Sequence, residues 1–275
     1  MNNLKIPSLN KFFPAGLATS VTALLLTTAS ATAQPIIVPG GSFESPIAPL
    51  PPFPIHPGID SWQKTAQPFW YDPATFGGTP WSMLSGTFPN PPISSPNNDH
   101  IVNLHGNQAG FLLALPGIGI FQDRETMDWD DAVPSHAFDV TYEVGKSYNL
   151  TVGVLGSYGL APTSTLRLSL YYRTGSTINT IGFTDVLYSS TVFPDISHLV
   201  DFSVNLPTVQ AGDAWAGQNI GIAIDVMTPG GTGTTYWDID NVRLVAAVPE
   251  PSSFALFGVA GVGLAFARRT RALQK

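Results

Sequence analysis

Apolar and polar residues alternate with a period of two in short segments along most of the chain. Ser147–Leu155 and Leu166–Tyr172 are the clearest examples, and each places its apolar side chains on one face. Such alternation predicts half-buried strands, and no segment has a sustained helical period. The predicted strands are Ile36–Val38, Ile101–Leu104, Phe111–Leu115, Gly117–Gln122, Phe138–Glu143, Ser147–Leu155, Leu166–Tyr172, Thr180–Leu187, Leu199–Leu206, Ile220–Val226 and Tyr236–Val245. Short strands separated by turn residues predict an all-β, antiparallel sandwich or barrel.

Composition agrees with this architecture. The 275 residues include 26 Gly and 25 Pro, and only 11% are charged. Many turns and few charges suit a sandwich better than a helical protein. No cysteine is present, so disulfides and thiolate metal sites are excluded. Without an internal repeat or a linker, residues 34–247 are predicted to form one domain.

The first 33 residues have the three parts of a secretory signal peptide. Lys5 and Lys11 precede an apolar run, and Ala31-Thr32-Ala33 forms a small-x-small cleavage site. This order predicts a signal helix at residues 1–33, export, and removal of the segment by signal peptidase.

The C-terminus has a second three-part pattern, at residues 248–275. Pro249-Glu250-Pro251 is followed by the apolar run Phe254–Ala267 and then by Arg268 and Arg269. A helix of that run is about 21 Å long, which is short for a bilayer core of about 30 Å. Basic residues after an apolar run favour a cytoplasmic end.

This tail resembles the PEP-CTERM sorting signal of exported bacterial proteins. The resemblance implies that a transmembrane segment anchors the protein transiently in the inner membrane and that an exosortase-type membrane enzyme processes it. It also implies a bacterium with an outer membrane and extracellular polysaccharide, and a final location at the cell surface or in the extracellular matrix.

Net charge limits the partners of the domain between the two tails. It retains six of the twelve basic residues and eighteen of the nineteen acidic ones, which gives a net charge of −12. Such a surface repels nucleic acid and is compatible with cations and neutral glycans.

Four phrases in the domain resemble the galactose-binding-like jelly roll of carbohydrate-binding modules. They are Gly41-Ser42-Phe43-Glu44, Gly119-Ile120-Phe121-Gln122, Gly145-Lys146-Ser147-Tyr148-Asn149-Leu150 and Trp237-Asp238-Ile239-Asp240-Asn241-Val242-Arg243-Leu244. In that group the first-strand Glu and the last-strand Asp share a structural calcium ion, which implies Glu44 and Asp240 as ligands here. Oxygen ligands of this kind suit Ca²⁺.

Aromatic residues in the irregular region before residue 100 are candidate sugar platforms. Trp62, Trp70, Tyr71 and Trp81 lie there, outside the clear strands. Binding residues concentrate on loops, whereas large aromatic side chains are more often buried.

Together these features predict a non-enzymatic surface protein that binds extracellular polysaccharide. One alternative is a matrix protein with a purely structural role. Another is an enzyme, because calcium-dependent terpenoid-indole cyclases resemble the same jelly-roll group. Asp225 or Asp99 is conceivable as the acid of such an enzyme, although no motif supports either.

Overall fold

The alternating segments pair into two antiparallel sheets that face each other. The computed structural model describes residues 33–49, 55–96, 99–127, 137–157, 159–228 and 235–248. Their strands are β1 (Ala33–Ile36), β2 (Gln63–Lys64), β3 (Ser85–Pro89), β4 (Gln108–Leu113), β5 (Gly119–Gln122), β6 (Ser147–Gly156), β7 (Thr165–Thr174), β8 (Thr177–Leu187), β9 (Val200–Leu206), β10 (Gly221–Thr228) and β11 (Tyr236–Ala247). Short 3-10 helices span Pro73–Phe76 and Trp81–Met83. The predicted antiparallel β-sandwich is confirmed.

The first sheet has the strand order β3-β4-β11-β6-β9, and β1 also pairs with β11. β4 pairs with the first part of β11, whereas β1 pairs with its last four residues. Ala33, at the predicted cleavage boundary, is the first residue of β1 and pairs with Ala247. The second sheet has the order β2-β5-β10-β7-β8.

The core lies between the sheets and follows the period-two pattern. On β6 the residues Leu150, Val152 and Val154 are fully buried, and the β10 residues Ile222 and Ile224 are equally buried. Because successive side chains of a strand point to opposite faces, the intervening residues line the outer faces of the sandwich. The outer face of the second sheet therefore carries the side chains of Ala223 and Asp225.

Two predicted strands are wrong. Ile101–Leu104 is a turn segment, because side-chain amides bond its backbone in place of a neighbouring strand. Asn90 exchanges two hydrogen bonds with the backbone of Ile101, each 2.9 Å long. Asn103 does the same with the backbone of Leu199. Phe138–Glu143 is likewise not a strand within the described part of the chain, and only Thr141 forms an isolated bridge.

The strands β2 and β3 have no alternating pattern in the sequence. β2 is only two residues long, and β3 contains Ser85, Gly86 and Thr87, all of them buried. Small residues in a buried strand produce no apolar signal, which is why sequence reasoning missed them.

Candidate ligand cavity and carboxylate pair

The predicted calcium ligands Glu44 and Asp240 lie close together, on either side of one loop. Oε1 of Glu44 accepts hydrogen bonds from the backbone N–H groups of Asn107 (2.8 Å) and Gln108 (2.9 Å). Oδ2 of Asp240 accepts one from the N–H of His105 at 2.6 Å. Backbone N–H groups of residues 105–108 therefore link Glu44, which follows β1, to Asp240 of β11, and the shared calcium ion stays a prediction.

Asp240 occupies an irregular part of β11. The register shifts between Asp240 and Arg243, and Asn241 has a φ of 54° in the left-handed region. Such a bulge redirects the side chain before it. Burial raises the pKa of Asp240 to about 7, and the nearby carboxylate of Glu44 adds to the shift. Two carboxylates held this close favour either a proton or a cation between them.

The donor set fits calcium in part. Oδ1 of Asp240 is buried without a hydrogen-bond partner, and Glu44 supplies a second carboxylate nearby. Calcium takes six to eight oxygen ligands, so backbone carbonyls and water would have to complete the shell. Within the described ranges, no cluster of three or more His, Asp or Glu side chains is placed to hold a metal.

Three of the four candidate sugar platforms are core side chains. Trp62 is 1% exposed, Tyr71 is 3% exposed and Trp81 is 8% exposed. Their polar atoms are satisfied internally, since each donates a hydrogen bond to a backbone carbonyl. Buried rings of this kind offer no free face to a sugar, and their role here is packing.

Trp70 is different, because 42% of its surface is exposed. It meets the ring of Trp81 edge-on, with 6.2 Å between centroids, and Phe69 beside it is fully exposed. Trp81 in turn donates to the carbonyl of Thr65 at 2.8 Å. Trp81 therefore connects the ring of Trp70 to the backbone of Thr65. The role of Trp70 in sugar binding stays a prediction.

A cavity of about 260 Å³ opens on the outer face of the second sheet. Its lining comes from β5, β10, β7 and β8 and from the segment after β2, and consists of Thr65, Ala66, Phe121, Ser169, Tyr171, Ile178, Thr180, Ala223 and Asp225. The walls combine two aromatic side chains, three aliphatic hydroxyl groups and one carboxyl group. An apolar wall with a few converging polar groups is typical of a small-ligand site.

Two glycines make room for the side chains that shape this cavity. A Cβ on Gly221 would lie 2.3 Å from the ring of Tyr171, and a Cβ on Gly119 would lie 2.1 Å from Oδ1 of Asp225. Neither distance is possible for real atoms. Glycine at these positions lets the Tyr171 ring lie across β10 and the Asp225 carboxyl lie against β5.

Asp225 is the charged group of the cavity lining. Burial raises its pKa to about 6, although the positive charge of Arg167 opposes the shift. Arg167 stands directly opposite on β7, but its guanidinium forms two hydrogen bonds with Asp185, of 2.7 and 2.8 Å. It also lies over the ring of Phe183, 4.0 Å from its centroid. Arg167 therefore acts on Asp225 as a neighbouring positive charge, while its hydrogen bonds go to Asp185.

A second acidic group fixes one wall of the cavity without joining it. Oδ2 of Asp123 accepts hydrogen bonds from the hydroxyl of Tyr171 (2.6 Å) and from two nitrogens of Arg173 (2.9 and 2.6 Å). A charge-assisted network of this kind holds the Tyr171 ring in place. Its own charges are paired, so Asp225 remains the unbalanced charge.

Sequence reasoning missed Asp238, a buried carboxyl on β11. Its Oδ1 has no hydrogen-bond partner, and burial raises its pKa well above the usual value. Asp99 accepts a hydrogen bond from the Ser95 hydroxyl at 2.5 Å and lies outside the cavity lining. The alternation of β11 could have marked Asp238 as unusual, because a charged residue stands among buried positions there.

The C-terminal tail was compared with known family models. Residues 247–271 match the model of the PEP-CTERM protein-sorting motif. The chain carries a PEP-CTERM signal. A protein with this motif is exported and is transiently anchored by its C-terminus. The predicted sorting residues lie outside the described residues, as does the predicted signal helix through residue 32. These sorting residues are Pro249, Glu250, Pro251, Arg268, Arg269 and the run at 254–267.

Several solved structures have a fold similar to this sandwich. A cyclase from Fischerella sp. TAU is similar to the PEP-CTERM chain over 80% of this chain and 100% of its own, at 19% identity and a TM-score of 0.52. An apo cyclase from Fischerella sp. has 19% identity and a TM-score of 0.50, covering 79% and 98%. At this identity the likeness shows the fold alone.

Weaker structural likenesses include carbohydrate-binding folds. The CBM22-1 xylan-binding domain from Paenibacillus barcinonensis covers 52% of this chain and 74% of its own, at 11% identity and a TM-score of 0.32. No curated protein matches the PEP-CTERM chain by sequence. No helix in the described part of the chain has the length and apolar character needed to cross a membrane.

Proposed function

We propose that this exported protein binds extracellular polysaccharide, without catalysis, through the cavity on its second sheet. The observation that carries the proposal is the joint presence of aromatic rings, hydroxyls and one carboxyl around about 260 Å³. This volume lies just below the usual range of ligand pockets, about 300–1,000 Å³. The site therefore suits one sugar residue at the end or on a branch of a polymer.

The chemistry of the lining complements a sugar ring. A pyranose has apolar C–H faces and a rim of hydroxyl groups that both donate and accept hydrogen bonds. Phe121 supplies a partly exposed ring, and Ser169, Thr180 and Asp225 supply polar atoms, whereas the fully buried ring of Tyr171 forms the back of the cavity. Because the Tyr171 hydroxyl is bonded to Asp123, the ring is fixed before the ligand arrives, which lowers the entropy cost of binding.

Trp70 is proposed as a second contact at the rim. Its exposed surface and its packing on Trp81 support a rigid platform for a neighbouring sugar residue. Trp62, Tyr71 and Trp81 support this platform from the core instead of meeting the ligand.

A structural calcium ion at Glu44 and Asp240 is part of the proposal. The unpartnered Oδ1 of Asp240 and the proximity of the two carboxylates support it. When bound, the ion would neutralise both carboxylates. Glu44 and Asp240 would still accept hydrogen bonds from the backbone at 105–108. They would thus hold this loop between the segment after β1 and β11.

The sorting tail supports a location at the cell surface for this binding. We infer that an exosortase-type membrane enzyme processes the chain after signal peptidase has acted, and that the product meets polysaccharide at the cell surface. The finer destination, on the surface or within the extracellular matrix, belongs to this proposal.

A glycan array that includes the producer's own polysaccharide tests the function. The full chain in detergent should bind saturably in calcium, and Trp70→Ala should weaken retention about tenfold. Tyr236→Ala is a matched control, since Tyr236 has a similar exposure, 41%, but lies on β11 of the first sheet. A folded protein that binds no glycan in either calcium or EDTA would contradict the proposal and favour a purely structural matrix protein.

The enzyme alternative is favoured by one observation, the carboxyl of Asp225 in a partly apolar cavity. A pKa of about 6 would allow this group to donate a proton near neutral pH. Turnover of an added indole or terpenoid substrate that is lost in Asp225→Asn would support this alternative.

A further inference from the structure

The cavity on the second sheet has an unbalanced negative charge. Of its nine lining residues, all within the described ranges, Asp225 alone carries a charge at neutral pH. The carboxyl is half-buried, and no hydrogen bond from the protein to it is observed within the described residues. A carboxylate in this position can accept a hydrogen bond from a bound ligand.

The nearby cations are committed to other partners. Arg167 of β7 is bound by Asp185 of β8, and Arg173 is bound by Asp123. On β2, Lys64 pairs with Ile120 in the sheet and donates to the backbone carbonyls of Ser82 and Ser85. β5 presents only Gly119 and Phe121 to this side of Asp225. No described basic side chain therefore completes the pair inside the cavity.

The negative net charge of the domain also favours a positively charged ligand. The exported domain has a net charge of −12, so positively charged ligands are attracted to it. Partial burial strengthens a charge pair inside the cavity relative to one in water. The partly exposed ring of Phe121 adds an aromatic face, which attracts cations and already has Arg173 5.7 Å from its centroid.

We propose that the cavity recognises a protonated primary amine on a sugar, that is, an amino sugar residue whose nitrogen is not acylated. The ammonium group would donate to Asp225, and the sugar hydroxyls would meet Thr65, Ser169 and Thr180. Those three hydroxyl groups favour a sugar over the methylene chain of a lysine side chain. This inference rests on the proposed function, because it takes the cavity to be the glycan site.

Titration calorimetry of the full chain in detergent tests it with four probes. They are D-glucosamine, N-acetyl-D-glucosamine, D-glucose and n-butylammonium. At about pH 7, glucosamine should bind at least about tenfold more tightly than each of the other three. Burial raises the pKa of Asp225 to about 6, so this preference should disappear as the pH falls to about 5 and the carboxylate is protonated.

Three variants separate the charge of Asp225 from its surroundings. Asp225→Asn should abolish the preference for glucosamine. Asp185→Asn should weaken it several-fold, because Arg167 is then released and can neutralise Asp225. Asp201→Asn is the matched control, since it breaks an exposed pair with Arg243 on the first sheet and should change nothing.

Three other outcomes would each refute a different part of the proposal. Equal binding of all three sugars, lost in Asp225→Asn, would leave the polysaccharide function standing and refute the amine. Equal binding of butylammonium and glucosamine would refute the sugar and indicate a lysine side chain. No binding of any probe by the folded protein would refute both. The pH profile of the unmodified chain decides the question even if a variant fails to fold.

Discussion

Replacing Asp225 with Asn should stabilise the protein at neutral pH. The carboxyl has a pKa of about 6 in the fold against 3.8 in its absence, because burial disfavours the ionised form. The difference of roughly two pKa units corresponds to about 3 kcal/mol at 1.36 kcal/mol per unit. Asn keeps the shape of the side chain and removes the charge, so most of this cost should vanish.

The sign of the pH dependence follows from proton binding. Between about pH 4 and pH 6 the folded protein binds more protons at Asp225 than the unfolded chain does. The contribution of Asp225 to stability is therefore greatest below about pH 4 and falls as the pH rises from about 4 to about 6. The free energies of the unmodified protein and the Asn variant should agree near pH 4 and diverge by about 2–3 kcal/mol at pH 7.

Urea unfolding followed by tryptophan fluorescence at several pH values measures this difference. Asp195→Asn is a suitable control, because Asp195 is exposed and its pKa is lowered by hydrogen bonds to Ser197. Parallel pH curves for the unmodified protein and Asp225→Asn would refute the reasoning. A variant that is less stable at pH 7 would refute it as well, and would show that the carboxylate contributes an unseen favourable contact.

Three further outcomes are expected. Calcium at about 100 times its dissociation constant should raise the free energy of unfolding by about 2.7 kcal/mol, and Asp240→Asn should remove this response to calcium or EDTA in thermal unfolding. Trp81→Ala should destabilise the fold by about 3–5 kcal/mol, because a buried ring is lost, whereas Trp70→Ala should cost less than about 1 kcal/mol in the same urea assay. Gly221→Ala should lower the melting temperature and abolish glycan binding together, since the new Cβ would displace the Tyr171 ring; unchanged binding in that variant would contradict the cavity assignment.

Most strands were predictable because period-two alternation depends on local geometry. β6, β7 and β10 each bury one face, and the positions of their apolar residues determine that face. The segment at 101–104 was misjudged because its contacts run through side-chain amides: Asn90 bonds the backbone of Ile101, and Asn103 within the segment bonds the backbone of Leu199. Such long-range polar partners leave no periodic signal.

The candidate site was predictable only in part. Glu44 and Asp240 lie near the same loop, as expected when the last strand runs beside the N-terminal segment, but their role as calcium ligands stays a prediction. The tryptophans could not be sorted into core and surface, because an irregular segment has no period from which burial follows. Trp62 and Trp81 are buried only through the way in which their loop folds back on the second sheet.

The sequence by itself determined the C-terminal sorting signal, the all-β class, the faces of the long strands and the acidic charge of the domain. These properties depend on the order and the type of neighbouring residues. Only the tertiary structure decided that Gly119 and Gly221 leave space for a cavity and that Asp185 takes the guanidinium of Arg167 away from Asp225. A cavity and an unbalanced charge arise from strands that are far apart along the chain, and their pairing decides which side chains meet.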